Sequence, residues 1–351
     1  MAAYTTIDDP GSFFNTVLWT GDGTAIGSGG QTITGVGFQP DMVWLKARDD
    51  THWHNVFDAP RGATYRIFPN ANTAQTASDS ESLNSFNSDG FVLGSDNNVN
   101  DSGDLYVGWN WKAGTTSGIA GSPTITPTSY SFNATSGFSI IAYTGTAANA
   151  TLPHGLGVAP KMILQKNLAD TESWMVYHAS VGATKYMVLN TTAAEDTNST
   201  RWNDTAPDAT VFSIGTDTSV NGSGEACIAY CFAPVQGYSK MGSYTGNGNA
   251  DGPFIYTGFR PAFTICKIYS GNTNNWKMVD NKRSPFNLNT KTLNADSDGV
   301  ESTEDNCDYT ANGFKIRRNG NDVNGSGYTY IYAAFAESPL ANSEGVPTNA
   351  R

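Results

Sequence analysis

The chain has 351 residues, 38% of them hydrophobic, and its 32 acidic side chains outnumber 20 basic ones to give a net charge of −12. This acidity argues against nucleic-acid binding, because a surface that follows phosphate groups needs clustered cations. The charged fraction of only 15% and the 37 glycines favour many turns and short strands over helices.

The sequence gives no sign of a membrane segment or an export signal. No apolar run reaches membrane-spanning length, and residues 1–10 lack the basic and apolar regions of a signal peptide. Four cysteines are too few for a disulfide scaffold. Cys227 and Cys231 lie too far apart along an extended strand to bridge, so we expect buried thiols. These features predict synthesis in a cytoplasm.

In chain order, three successive segments of about one hundred residues repeat the same landmarks. Each has an aromatic-Thr-Gly turn, a turn with Gly and Pro, an apolar strand closed by Lys, a Trp, a polar loop, an Asn-x-Ser-Gly turn and a final apolar strand. The lysines are Lys46, Lys166 and Lys267, the tryptophans are Trp53, Trp174 and Trp276, and the asparagines are Asn100, Asn221 and Asn324.

The repeats predict an all-β protein of three tandem, related antiparallel β-sandwich domains, jelly-roll-like and with little helix. Runs such as residues 42–45 are apolar at successive positions, which indicates strands covered on both faces. One helical turn is suggested near residues 191–195. The expected boundaries are 1–114 for repeat 1 with an N-terminal arm, 115–129 for a Gly/Ser/Thr/Pro linker, 130–235 for repeat 2, 236–340 for repeat 3 and 341–351 for a tail. Because almost nothing separates repeats 2 and 3, we expect these two to be held rigidly, with repeat 1 freer or joined by a strap.

The recurrent residues suit roles in the fold. Asn tolerates a left-handed backbone and Gly takes a positive φ, so the Asn-x-Ser-Gly motif predicts a tight turn. Each recurrent Trp is expected to be a buried core anchor, with glycan stacking as the alternative. Each Lys could extend from its strand end and pair with Asp58 or Asp280, although repeat 2 has His178 in that place.

Two clusters occur in one repeat only. His52 and His54 would share a strand face at a spacing that metals use, but no third ligand is evident. Asn294, Asp296, Asp298 and Asp305 resemble a calcium loop, with Asn at position one and Asp rather than Glu at position twelve. No helices flank that loop, which favours a turn-rich surface loop. The sequence therefore predicts no metal site, with calcium as the weaker reading of the second cluster.

Catalytic motifs are absent from the sequence. It has no nucleophile elbow, phosphate-binding loop or Ser/His/Asp order. A pair of glycosidase carboxylates could meet in space, but no spacing nominates one. We therefore predict a protein that is not an enzyme and uses no cofactor.

Residues 8–16, 35–46, 57–64, 85–95 and 106–114 together resemble a β domain common in tailed phages, especially marine ones. The match is close in repeat 1, weaker in repeat 2 and faint in repeat 3. The resemblance implies a virion structural protein in a tail fibre or appendage, which acts through protein–protein assembly and host attachment. The alternatives are a capsid decoration protein, a module that binds host surface glycans and a depolymerase. The expected partners are other virion proteins and further copies of the chain, with a trimer as one option.

Overall fold

The computed structural model describes residues 4–347 and confirms the all-β prediction. Repeat 1 contributes β1 (Phe14–Thr20), β2 (Gln31–Ile33), β3 (Met42–Ala47), β4 (Asn55–Asp58), β5 (Gly62–Ile67), β6 (Leu83–Asn87), β7 (Gly90–Leu93) and β8 (Leu105–Trp111). Repeat 2 contributes β9 (Ser129–Asn133), β10 (Phe138–Thr144), β11 (Ala150–Pro153), β12 (Met162–Asn167), β13 (Met175–His178), β14 (Lys185–Val188), β15 (Asp196–Thr197), β16 (Val211–Ile214) and β17 (Ala226–Phe232). Repeat 3 contributes β18 (Ser239–Thr245), β19 (Phe254–Tyr256), β20 (Phe259–Ser270), β21 (Lys277–Asp280), β22 (Asn289–Asn294), β23 (Ser302–Thr310), β24 (Gly313–Ile316) and β25 (Thr329–Pro339).

Each repeat builds one main antiparallel sheet, and the three sheets share a central strand order. The orders are β1-β8-β3-β4-β5, then β10-β17-β12-β13-β14 flanked by β9 and β15, then β18-β25-β20-β21-β22 continued by β23-β24-β19. The first two repeats add small sheets, β2-β7-β6 and β11-β16. In repeat 3, Lys240 on β18 donates a hydrogen bond to the carbonyl oxygen of Tyr256 on β19, so the two edges of the long sheet approach each other and nearly close a barrel.

The strand registers fix which residues are equivalent. At one end of the sheets, Met42 pairs with Asp58, Met162 with His178 and Phe263 with Asp280. Four residues before each of these partners lie His54, Trp174 and Trp276. In the middle of the sheets, the equivalent residues on the adjacent strand are Trp109, Tyr230 and Ala333.

One face of every main sheet packs into a single hydrophobic core that all three repeats share. In β3, Met42 and Trp44 enter this shared core, whereas Val43 enters a separate cluster on the other side of the sheet. Repeats 2 and 3 have corresponding clusters of their own. The strands are thus buried on both faces, as predicted. One face packs against the cluster of its own repeat, and the other packs against the sheets of the other two repeats. Aromatic rings from all three repeats meet in the shared core, among them Phe14, Trp111, Phe138, Phe232, Phe263 and Phe335.

The segment 115–129 forms a strap along repeat 2. Ile125 is buried in the cluster of that repeat, and Ile119 packs against the same cluster. Thr124 Oγ1 accepts a hydrogen bond from the amide of Thr151 at 2.7 Å. The segment 115–129 therefore joins repeat 1 to repeat 2 as a strap, which is one of the two expected arrangements. The expectation that repeat 1 is freer is wrong, because its main sheet forms part of the shared core.

The helical turn predicted near residues 191–195 is not present. The described residues instead form the short helices α1 (Asn97–Asn100), α2 (Ser199–Trp202) and α3 (Thr218–Asn221). Asp96 and Asp217 cap α1 and α3 by accepting hydrogen bonds from the amides of Asn98 and Ser219. Two 3-10 turns lie at Pro10–Ser12 and Ile26–Ser28. Within residues 4–347 no helix is long and apolar enough to cross a bilayer. The four cysteines are free and buried.

Candidate functional site

The strand registers correct the position of the first recurrent tryptophan. Trp174 and Trp276 are each 1% exposed, whereas Trp53 is 38% exposed. The residue equivalent to the two buried tryptophans is His54, which is fully buried. The assignment of Trp53 as a repeated core anchor is therefore wrong by one residue. The inference that the fold does not need His54 is wrong as well.

His54, Trp174 and Trp276 form a ring of contacts across the three boundaries between repeats, which we call the first ring. Trp174 Nε1 donates to the carbonyl oxygen of Phe68 at 2.9 Å, and Trp276 Nε1 donates to that of Val188 at 3.0 Å. His54 Nε2 lies 3.0 Å from the carbonyl oxygen of Asn294 and must be the donor, since a carbonyl only accepts. Each repeat thus reaches into the preceding one, and repeat 1 reaches into repeat 3 to complete the cycle.

The amides of the same three residues are held in an equivalent way within each repeat. The backbone N–H of His54 donates to Asn70 Oδ1, that of Trp174 to Asn190 Oδ1 and that of Trp276 to Asp296 Oδ1, each at 2.9 Å. Trp44 Nε1 donates to the remaining nitrogen of His54, Nδ1, at 2.9 Å. Burial is the main reason that the pKa of His54 lies well below its usual value, and the positive charges of Lys46 and Arg283 lower it further. The ring therefore stays neutral, with Nδ1 accepting from Trp44 and Nε2 donating to Asn294.

Asp58, His178 and Asp280 form a second ring of buried residues at one end of the sheets. Tyr230 Oη of repeat 2 donates to Asp58 Oδ2 of repeat 1 at 2.6 Å, and Trp109 Nε1 of repeat 1 donates to Asp280 Oδ2 of repeat 3 at 3.1 Å. His178 of repeat 2 contacts the carbonyl oxygen of Tyr332 of repeat 3 at 3.3 Å. Each residue of the second ring thus contacts the following repeat, with repeat 3 contacting repeat 1, whereas each residue of the first ring contacts the preceding repeat.

Each aspartate of the second ring is paired with an arginine three residues later. Arg61 Nε and Arg283 Nε both lie 2.6 Å from Oδ2 of their aspartates, and both pairs are almost wholly buried. Repeat 2 has Val181 in the arginine position, beside His178. Burial lowers the pKa of His178 to about 4, so this imidazole is neutral and needs no charged partner. In repeat 3, the residue equivalent to Tyr230 and Trp109 is Ala333, whose side chain has no hydrogen-bond donor. His178 contacts a backbone carbonyl of repeat 3 instead.

The three recurrent lysines are fully buried rather than extended towards solvent. Each lysine lies on the sheet face that enters the shared core. Lys46, for example, comes two residues after Trp44, and residues two apart in a strand point to the same face. None pairs with the aspartates of the second ring, whose partners are arginines, so that suggested pairing is wrong. Burial lowers the pKa of each lysine to about 8. Their amines donate to backbone carbonyls: Lys46 to Ala47 and Asp50, Lys166 to Asn167 and Asp170, and Lys267 to Thr192 of the neighbouring repeat.

The recurrent asparagines join two turns in each repeat, and all three are fully buried. Asn221 Oδ1 accepts from the amide of Thr146 at 2.7 Å, and its Nδ2 donates to the carbonyl oxygen of Gly215 at 2.7 Å. Asn100 and Asn324 make the corresponding bonds to Asp22, Gly94, Asn247 and Arg318. The side chains therefore tie the aromatic-Thr-Gly turn to the end of the preceding hairpin and serve the fold.

The two clusters that occur in one repeat only, the loop at residues 294–305 and the pair His52 and His54, differ in their surroundings. In the loop that resembles a calcium site, Asp296 binds the amide of Trp276 and the side chain of Asn275, and Asn294 offers its carbonyl oxygen to His54. Within the described part of the chain, the carboxylates of Asp296, Asp298 and Asp305 do not converge into a group that could hold a metal ion. His52 does not act with His54, and instead lies beside Asp50 and Asp104.

A polar groove of about 380 Å³ runs along the boundary between repeats 1 and 2. A second depression of about 400 Å³ continues it and shares Pro60, Thr128 and Ser129 with it. Tyr65 and Tyr130 lie along its walls, and both are partly exposed. By contrast, the shared core holds a wholly apolar cavity of about 20 Å³, which is close to the volume of one water probe. Among these cavities, the space large enough for a ligand lies at the surface between repeats 1 and 2, and the cavity in the shared core is too small.

These features define an all-β protein in which three sequence repeats surround one shared core through two cyclic rings of contacts. The family model DUF7483, a domain of unknown function, matches residues 9–339, and the chain belongs to that family. One family model spans all three repeats, which fits their common core. No curated protein and no solved structure matches the chain.

Sequence reasoning missed several of the residues that matter most in this arrangement. Tyr230 and Trp109 have no motif of their own, because their partners come from other repeats. A usable signal did exist for the charged pairs. Asp-x-x-Arg occurs at Asp58–Arg61 and again at Asp280–Arg283, at equivalent positions of two repeats.

Proposed function

We propose that this protein is a non-enzymatic structural component of a tailed-phage virion, in a tail fibre or another appendage. The resemblance of residues 35–46 and 57–64 to phage β domains motivates the virion, and the shared core supports a structural role. A body whose three repeats are joined by buried contacts in a closed cycle resists distortion, as an assembly component must. Capsid decoration is the alternative position on the particle.

We further propose that the three repeats are related β-sandwich domains, fused into a single-chain counterpart of a trimer. The common central strand order supports this relationship, and so do two rings that each cross all three boundaries between repeats. In a symmetric trimer every boundary repeats the same contacts. Here the first ring repeats one contact three times, with His54 replacing a tryptophan in repeat 1. The chain would then offer partners a surface with approximate threefold symmetry from a single copy.

The decisive experiment is peptide mass spectrometry and cryo-EM of purified particles of the virus that encodes the chain. The expected result is the protein at fixed stoichiometry with density on a tail fibre or appendage. Density on the head would favour the decoration alternative. Absence of the protein from intact, infectious particles would overturn the proposal.

A second candidate function, binding of host surface glycans, rests on the groove between repeats 1 and 2. Its walls carry Tyr65 and Tyr130 together with hydroxyl groups such as that of Ser129. Aromatic faces stack on apolar sugar faces, and hydroxyl groups bind sugar hydroxyls, so this lining suits a carbohydrate better than an apolar ligand.

A glycan array followed by titration calorimetry tests this candidate. If an oligosaccharide binds, Tyr65→Ala or Tyr130→Ala should weaken it by about tenfold or more, as for central anchor residues of a binding site. Tyr256→Ala is the matched control, because Tyr256 is 49% exposed and lies on β19 of repeat 3. A blank array, or equal losses in all three variants, would exclude the groove as the site.

A further inference from the structure

Two loops of repeat 1 bring three potential metal ligands together at the end of β3 and β8. Ala47 of β3 lies opposite Tyr106 of β8, so the loop that follows β3 meets the turn that precedes β8. The amide of Arg48 donates to the carbonyl oxygen of Leu105 at 2.7 Å, and Asp49 Oδ1 accepts from the amide of Leu105 at 2.8 Å. These bonds fix the loop that carries Asp50 and His52 against the turn that carries Asp104.

The spacing of the three side chains fits metal coordination better than hydrogen bonding. His52 Nε2 lies 3.5 Å from Asp104 Oδ2 and 3.8 Å from Asp50 Oδ2. Both distances exceed the roughly 2.7–3.2 Å of an N–H···O hydrogen bond. With metal–ligand distances of about 2.0–2.2 Å, two ligands in tetrahedral coordination lie about 3.4 Å apart. One ligand atom from each of the three residues lies within 4.8 Å of the others.

Two of these ligand atoms are also left without any other partner. His52 Nε2 and Asp104 Oδ2 are shielded from solvent, and neither makes a hydrogen bond. Buried polar atoms are rarely left without a hydrogen-bond partner, so such a pair facing each other calls for an explanation. Burial, together with the nearby carboxylates of Asp49 and Asp101, raises the pKa of Asp104. A bound cation would satisfy both atoms and offset the repulsion among the carboxylates.

We propose that Asp50, His52 and Asp104 bind one divalent transition-metal ion of the zinc class. One imidazole nitrogen and two carboxylate oxygens match the ligands that zinc accepts, and calcium and magnesium prefer oxygen alone. Asp50 is the most exposed of the three ligands, with 53% of its side chain accessible, so the fourth coordination position faces solvent. A water molecule or a donor group from a partner would occupy that position.

The other repeats show that the fold does not require this cluster. In repeat 2 the equivalent positions hold Asp170, Glu172 and Glu225, and the two glutamates bind Thr218 and Asn167 within their own repeat. In repeat 3, Tyr328 stands at the position of Asp104. Only repeat 1 combines an imidazole with two carboxylates and leaves the atoms that face each other unpaired.

The test is titration calorimetry of the tag-free full chain with Zn²⁺, combined with the visible absorption spectrum of the Co²⁺-loaded protein. We expect one saturable Zn²⁺ site and a cobalt spectrum of tetrahedral type. His52→Gln and Asp104→Asn should each weaken Zn²⁺ binding by at least about tenfold, since even the loss of an outer-shell partner costs that much. Circular dichroism would show that both variants remain folded.

Asp170→Asn is the matched control, because it makes the same charge change as Asp50→Asn at the equivalent position of repeat 2. It should leave Zn²⁺ affinity unchanged, whereas Asp50→Asn should reduce it. The proposal is overturned if the wild-type chain shows no saturable binding, if the control loses as much affinity as the repeat 1 variants, or if Ca²⁺ binds more tightly than Zn²⁺.

Discussion

Tyr230 of repeat 2 donates its hydroxyl hydrogen to Asp58 of repeat 1 at 2.6 Å, inside a core that neither repeat completes alone. The carboxylate also receives Arg61, so that one buried acid is satisfied from both sides of a boundary between repeats. Such contacts make the stability of each repeat dependent on its neighbours.

Asp58→Asn should be among the most destabilising single substitutions of a polar residue. It removes the negative charge that compensates Arg61, whose side chain is only 4% exposed. Breaking one partner of a buried ion pair costs about 3–5 kcal/mol. Urea unfolding would measure this loss, with Asp305→Asn at an exposed position of β23 as the control, expected within about 0.5 kcal/mol of the wild type. Equal effects of the two variants would contradict the assigned role of Asp58.

Trp174→Ala and Trp53→Ala should separate the two tryptophans that the sequence treats as equivalent. Trp174 is buried and bonds to repeat 1, so its removal should cost about 3–5 kcal/mol. Trp53 is 38% exposed, and its loss should cost about 1 kcal/mol or less. Calorimetric unfolding measures both. We also expect a single transition for Trp174→Ala, because the shared core couples the repeats, and separate melting of repeat 2 would argue against that coupling.

The buried lysines should make stability rise with pH through a defined window. Their pKa values are about 8 in the folded protein, below the ordinary lysine value of 10.5. Between these two values the unfolded chain binds more protons, so the free energy of unfolding increases as pH rises. For one lysine the gain is at most about 3 kcal/mol over the whole window.

Ionisation of tyrosines and cysteines in the unfolded chain opposes this gain at high pH, so the lysine contribution is best isolated by comparing variants. The difference in unfolding free energy between Lys46→Met and wild type should change with pH from about 8 to 10.5, in the direction that favours wild type at higher pH. Lys282→Met, which removes an exposed lysine, is the control variant. A difference between Lys46→Met and wild type that stays constant with pH would refute the burial of a titrating amine.

Gly145→Ala should destabilise repeat 2 strongly, because a Cβ there would lie 2.2 Å from the carbonyl oxygen of Gly222. The turn cannot move away easily, since Asn221 holds it on both sides. Overpacking of this kind costs about 1–3 kcal/mol. Gly27→Ala is the control, because a Cβ at that position meets nothing within 4 Å. Thermal unfolding of the two variants should therefore differ by several degrees, and indistinguishable melting would contradict the close approach at Gly145.

The strand content and the repeated turns could be read from the sequence because they depend on local chemistry. The apolar run of β3 correctly indicated cover on both faces, but no local pattern says what supplies the second cover. The error at Trp53 has a similar origin. A tryptophan was matched to tryptophans, whereas the register is set by the pairing of β3 with β4, which aligns His54 with Trp174.

The candidate site shows the same limit. The sequence predicts that His52 shares a strand face with His54, two residues away. The segment that carries His52 is not a strand, and its neighbours come from the chain fifty residues further on, at Asp104. Likewise, the short helices α1 and α3 begin where Asp96 and Asp217 cap their first amides, and residues 191–195, which have no such cap, form no helix.

Repeat 2 has His178 and Val181 where the other two repeats have a buried Asp–Arg pair. This difference shows how the boundaries between repeats can vary independently in sequence. In an assembly of three identical chains, any mutation appears at every interface simultaneously, so a compensating change must suit all three at once. In a single chain each boundary between repeats is encoded separately. One boundary here carries a neutral imidazole where the other two carry a buried ion pair, so each side of the molecule has its own chemistry at a stoichiometry that cannot vary.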